Sequence, residues 1–496
     1  MRRAMRVPLL IMGAGTSALL FAWARPYDPA PWLGDLASLE AGAAAGYANL
    51  EWHVTHVVDA PALHARADSA IRHARSNGEA RRALREFAAA FHDGHFAVVR
   101  PTPAWLRGLA DRWNGRQEDT APISSLRGVE ACAAIGYVDE PADGSLLARV
   151  AGYRPLRTGP FESGVIEEAA RPTIGVVRLG TFGIERFRAA CAAAWPRVRD
   201  SLARPRCEAD CQYALRVATG DELLAELRRA IDTVRAAGAM ALVVDLTGNG
   251  GGSEWADVAA RQFSARPLLG QSEGFVRHPH WHGALQTERR SIDSTLQDPS
   301  TDTALRPSLV AARERLDSAL ADAAAPCDRS AIWTAGLDAV ACRQLVSGRR
   351  FTTGAVPYLD ASMRGRRGAD AIFWPASYHF LEGAWDGPLA LLVDRRTASA
   401  AEQFVALLRD ADAGLVVGER TYGAGCGMTN GGIPLTLPHS GLEVHMPDCA
   451  RMRRDGSNEV AGITPDVALP WTVAMSAEER ADVALSALRS PPLAPR

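Results

Sequence analysis

Two apolar runs, Met240 to Leu246 with Asp245 as its one polar residue and Leu389 to Val393 without a break, each lead into a turn of small residues and then into a helix-like pattern. A strand that is apolar at every position is buried on both faces, and such strands occur where helices cover a mostly parallel sheet. The first run follows Asp221 to Ala237, an amphipathic helix with Leu224, Leu227, Ile231 and Val234 on one face, and precedes the turn Gly248 to Gly252 and a helix over Trp255 to Phe263. The second leads into a helix over Ala400 to Leu408 and a strand within Gly414 to Gly418. With Ile174 to Leu179 as a further strand, the pattern predicts an α/β core in two halves, 173–269 and 385–475, separated by a polar, proline-punctuated insertion at 270–384.

The flanks have a different texture. Residues 25–100 are alanine-rich with Leu84, Phe87, Ala88 and Phe91 at helical spacing, which predicts a helical N-terminal domain ending at His92-Asp93-Gly94-His95. Residues 101–172 are rich in Pro, Gly and Arg and read as a linker or small β-containing region, without the loop of a PDZ module. A hairpin is expected at Ile433 to Leu437 and Leu442 to Met446, and Ser476-Ala477-Glu478-Glu479 is a capping box that opens the C-terminal helix and tail, 476–496.

Residues 1–24 read as an export signal: Arg2, Arg3 and Arg6 precede an apolar stretch that ends in Ala22-Trp23-Ala24. An uncleaved membrane anchor is the alternative. Eight cysteines suit an exported chain. Proximity favours the pairs Cys207–Cys211, Cys327–Cys342 and Cys426–Cys449, while Cys132 and Cys191 lie in apolar segments and read equally well as buried thiols.

A formal net charge of −2 removes the electrostatic footprint of a nucleic-acid binder. All 55 basic residues are arginine. Without lysine no side-chain amine can serve as a base, a Schiff-base former or a P-loop phosphate ligand.

Two turns then stand out. In Asp245-Leu246-Thr247-Gly248-Asn249-Gly250-Gly251-Gly252, glycines free backbone N–H groups in front of a helix, as an oxyanion hole needs. In Thr397-Ala398-Ser399-Ala400-Ala401-Glu402, Ser399 is an uncrowded hydroxyl at a helix start; such serines usually cap, but Thr397 can fill that role. Together with Val417-Gly418-Glu419-Arg420-Thr421-Tyr422-Gly423 and Gly462-Ile463-Thr464-Pro465-Asp466, these segments resemble the tail-specific (C-terminal processing) and tricorn-core serine peptidases.

The resemblance implies a crotonase/ClpP-like core, peptide-bond hydrolysis with Ser399 as nucleophile, protein or peptide substrates and no metal or organic cofactor. Where the processing branch carries its lysine base, this chain has Ala424. The tricorn-like branch is the better match, which implies His95 as base and Glu459 as the residue that orients it, with Gly250 or Gly251 and Ala400 as oxyanion donors. Gly94 replaces that branch's relay serine, and Thr247 stands where the family usually has arginine. A catalytically silent binding protein on the same fold and a crotonase-like acyl-transfer enzyme are the alternatives.

Other candidates have plainer readings. Glu402 and Asp410 are expected to make helix-terminal hydrogen bonds, Asp455 and Glu443 compete with Glu459, and His278-Pro279-His280-Trp281-His282 reads as a solvated loop rather than a metal site. His53 and His56, one helical turn apart, suggest surface or packing roles, and Arg451, Arg453 and Arg454 a solvated hairpin end.

Overall fold

The apolar strands gather into one seven-stranded sheet, in the order 467–468, 415–418, 389–393, 241–245, 174–178, 163–166 and 153–157. The computed structural model describes residues 27–101, 123–139, 143–169, 171–200 and 207–489; the expected export segment lies outside them. At the centre, β4 (Ile174–Arg178), β5 (Ala241–Asp245), β8 (Leu389–Val393) and β9 (Leu415–Gly418) run parallel, and β13 (Val467–Ala468) joins β9 in the same sense.

The apolar runs of β5 and β8 follow from cover on both faces. Leu242, Val244, Leu391 and Val393 belong to one core cluster with the 209–236 helix and the helix Ala400–Asp410. Val243, Ala390 and Leu392 belong to another with the C-terminal helix Ala477–Leu488. That helix starts as expected: Ser476 Oγ accepts from Glu479 N, and Glu479 accepts from Ser476 N at 2.7 Å.

The 101–172 region, read as a linker or small β-containing region, carries two strands of the central sheet. The strands β2 (Tyr153–Arg157) and β3 (Ser163–Ile166) extend the central sheet antiparallel from β4. Proline and charge at β2 are tolerated because it is an edge strand. The helix read at 221–237 also begins earlier, at Ala209, where its first turns are solvent-exposed and carry no apolar stripe.

The N-terminal helices share a core with Leu437, Leu442, Val444 and Met446 of the hairpin. A short sheet fixes this docking: β1 (Ala97–Val99) pairs antiparallel with β11 (Glu443–His445), which pairs with β10 (Leu435–Thr436). The 270–384 segment contributes β6 (Ser272–Val276) and β7 (Leu345–Phe351), and β6 pairs with β12 (Cys449–Met452). Four disulfides are present, the three expected by proximity and Cys132–Cys191, which corrects the free-thiol reading of those two residues. Their separation of 59 residues hid that pair. Among the described residues no helix is long and apolar enough to cross a membrane.

Candidate active site

Both small-residue turns sit at the carboxyl ends of neighbouring parallel strands, β5 and β8, where open α/β sheets bind ligands. The turn after β5 is braced from several sides. Gly248 N donates to Asp394 at 2.9 Å, Asn249 Nδ2 to the Leu179 carbonyl at 2.9 Å, and Ala398 N to the Asn249 carbonyl at 3.0 Å. Thr247 replaces arginine without leaving the turn loose. It caps Asp245 through its N–H and hydroxyl, and Arg178 from β4 donates to the Asp245 carbonyl at 3.0 Å.

Gly251 is glycine for steric reasons. Its φ is +99°, and a Cβ there would lie 2.8 Å from Ser399 Cβ and 2.9 Å from Ala400 N. The two turns are therefore in direct contact. Of the expected oxyanion donors, Gly251 N already donates to Asn249 Oδ1 at 2.8 Å. Gly250 N and Ala400 N make no hydrogen bond among the described residues, and the space over Gly250 is open.

Ser399 has φ +57° and ψ −119°, a conformation that costs a non-glycine residue roughly 1–3 kcal/mol and clusters at functional sites. Its Oγ makes no capping hydrogen bond to the helix. Thr397 does not cap the helix as expected: its hydroxyl bridges the Leu246 carbonyl and Asp394 N, tying β8 to β5. Glu402 secures the turn instead. This buried carboxylate accepts from Ser399 N and Ala424 N at 2.9 Å through Oε2, and from Thr421 Oγ1 at 2.6 Å and Gly423 N at 2.7 Å through Oε1. Burial raises its pKa, and the nearby charge of Glu459 adds to the effect.

His95 reaches the same assembly. Asp93 Oδ1 accepts its backbone N–H at 2.9 Å, Asp93 Oδ2 accepts from Tyr47 OH at 2.8 Å, and buried His53 lies 3.7 Å from that oxygen. His53 is therefore a packed residue rather than a surface one. The His95 Nδ1 lies 3.2 Å from the Ala424 carbonyl. A carbonyl can only accept, so Nδ1 is the donor in this contact, which in the neutral ring leaves the lone pair on Nε2. Ala424 thus joins the two sides, its N–H bound to the carboxylate that holds Ser399 and its C=O bound to His95. No hydrogen bond links Ser399 Oγ to His95 in this structure.

Glu459 does not meet His95. Its buried carboxylate accepts from Gln271 Nε2 at 2.8 Å and from Arg451 Nε at 2.8 Å. Arg451 Nη2 in turn donates to the carbonyls of Ser399 at 2.8 Å and Gly425 at 2.7 Å. The solvated hairpin end expected at Arg451 is thereby corrected. In a strand, alternate residues share a face, so Arg451 follows Cys449 inward. Arg453 and Asp410 pair with each other, and Asp455 caps Ser457 in an exposed turn. The 278–282 histidines do not converge: His278 caps its helix, and His280 bonds the Thr429 carbonyl beside Asp448.

The model described as Peptidase family S41 matches residues 215–469. Mature CPAF complexed with lactacystin aligns at 14% identity over 92% of this chain and 96% of that one, with a TM-score of 0.56. A second structure of mature CPAF aligns at 14% identity over 94% and 99%, also at 0.56. The photosystem II D1 C-terminal processing protease aligns at 16% identity over 94% and 99%, with a TM-score of 0.34. At such identities the CPAF likeness speaks for the fold alone. No curated protein sequence matches the chain.

Proposed function

The chain belongs to peptidase family S41 and is a serine-type peptidase, and from that premise we propose that it is an exported endopeptidase with Ser399 as nucleophile and His95 as general base. Ser399 Oγ attacks the scissile carbonyl while His95 Nε2 takes its proton. The oxyanion is held by the N–H groups of Gly250 and Ala400, both pointing from turns that touch through Gly251. Collapse returns the proton from His95 to the leaving amine, and water, activated by the same nitrogen, releases the acyl-enzyme.

The observation that carries this reading is the Ala424 bridge. It holds His95 in the tautomer a base requires and ties it to the carboxylate beneath the nucleophile. Contacts between a catalytic hydroxyl and imidazole are often long without substrate and tighten in the complex. Glu459 takes the third place by way of Arg451, which spans Glu459 and the Ser399 carbonyl, while Ala424 orients the imidazole. The absence of lysine favours the histidine-based branch over the lysine-based one. Four disulfides and the apolar N-terminus support export.

Fluorophosphonate labelling with peptide mapping tests the reading. The expected adduct is on Ser399, with loss of peptide hydrolysis in proportion to labelling. Hydrolysis that persists in a fully labelled protein would contradict it.

A further inference from the structure

Tyr422 is a half-exposed aromatic in a place where everything around its backbone is locked. Half of its surface is open to solvent. Its N–H donates to the Thr397 carbonyl at 2.9 Å, two residues before the nucleophile. Both neighbours, Thr421 and Gly423, are bound to the buried Glu402 carboxylate. Its ring lies over Gly94, the residue before His95: a Cβ at position 94 would be 2.8 Å from Tyr422 Cε1 and 3.0 Å from its hydroxyl. The ring therefore spans the gap between the nucleophile turn and the histidine turn.

A tyrosine needed only to cover Gly94 would be buried by what it covers. Here one part of the ring meets the histidine turn and the rest faces outward, in an orientation set by a rigid backbone. Preorganised aromatic faces of this kind offer large contact area at little conformational cost. The same loop carries a second exposed apolar side chain, Met428, directly after Gly427, whose Cα side faces the His95 ring. The rim beside the two catalytic turns is thus apolar on this loop.

We propose that Tyr422 is a specificity-determining residue, an aromatic wall of the substrate cleft that packs against a large apolar side chain flanking the scissile bond. The inference rests on the Ser399–His95 reading of the site. Its recognition is by the ring face, so the phenol oxygen is dispensable.

The test uses the full chain and matched peptides that carry Phe or Leu, or else Ala or Gly, at the positions on either side of the cleaved bond. The quantity read is the ratio of kcat/KM for the large over the small side chain. Tyr422→Ala is expected to lower that ratio by about tenfold or more, the scale on which apolar pockets discriminate. Tyr422→Phe is expected to keep it within about threefold. Gly94→Ala, which must displace the ring, should lower it as Tyr422→Ala does. A wild-type enzyme that cleaves these peptides with no preference, or a Tyr422→Ala variant with an unchanged ratio, would overturn the inference and leave the catalytic assignment standing. A Tyr422→Phe variant as unselective as Tyr422→Ala would overturn the apolar wall. Failure of the wild type to cleave any peptide would instead count against the peptidase reading on which the inference rests.

Discussion

The nucleophile turn and the histidine turn are held in different ways. Around Ser399 one carboxylate collects four donors, an arginine grips the carbonyl, and two glycine-rich and alanine-rich turns are in van der Waals contact. His95 hangs from a turn capped by Asp93 and meets the core through one ring nitrogen on one carbonyl. The first arrangement is built within the sheet; the second arrives with a separate group of helices docked through β1 and β11. In the proposed mechanism the geometry of the nucleophile therefore follows from the fold of the core, whereas that of the base follows from how well the N-terminal region docks.

This contrast can be broken at several points. The largest loss of stability is expected for Glu402→Ala, which orphans the buried N–H groups of Gly423 and Ala424, the half-buried N–H of Ser399 and the Thr421 hydroxyl. At roughly 1–3 kcal/mol for each buried group left unsatisfied, the sum is several kcal/mol, offset where water enters. Denaturant unfolding would read it, with peptide hydrolysis lost in the fraction that remains folded. Arg451→Met should cost about 3–5 kcal/mol, because it leaves Glu459 buried and uncompensated. Adding Glu459→Gln should recover part of the stability without restoring activity, since the brace on the Ser399 carbonyl stays absent. Asp93→Asn should be the mildest. It removes charge from the turn that carries His95 but keeps an oxygen for the His95 N–H, so stability changes by about 1 kcal/mol and kcat falls by roughly tenfold. If Asp93→Asn instead destabilises as much as Glu402→Ala, the two turns are not held differently.

The same contrast governs what could be read from sequence. Strands β5 and β8 are legible because burial on both faces makes all their residues apolar except Asp245 at the end of β5, and their turns because glycine and alanine cluster locally. The serine and the glycine turn are therefore visible within a few residues each. Arg451 was not, because its partners Ser399 and Gly425 lie 52 and 26 residues away, and three arginines in a row of hairpin residues look like surface. Glu402 was visible as a helix residue, yet its link to Ala424 crosses 22 positions. Glu459 was expected against His95 by resemblance; strand pairing of β12 with β6 instead brings Arg451 and Gln271 to it. The 101–172 region, read as a linker or small β-containing region, gives no sharper signal because β2 is an edge strand that needs no apolar run and β3 is only four residues long.

In the proposed mechanism a serine fixed by the core works with a histidine brought from the N-terminal region. Kinetics of Ser399→Ala, His95→Ala and the double variant on one peptide substrate test it most directly. Each single change is expected to lower kcat/KM by several orders of magnitude, and the double variant should be scarcely worse than either, because the residues act as a unit. Near-wild-type hydrolysis by His95→Ala, alongside an inactive Ser399→Ala, would place the base elsewhere and contradict the account.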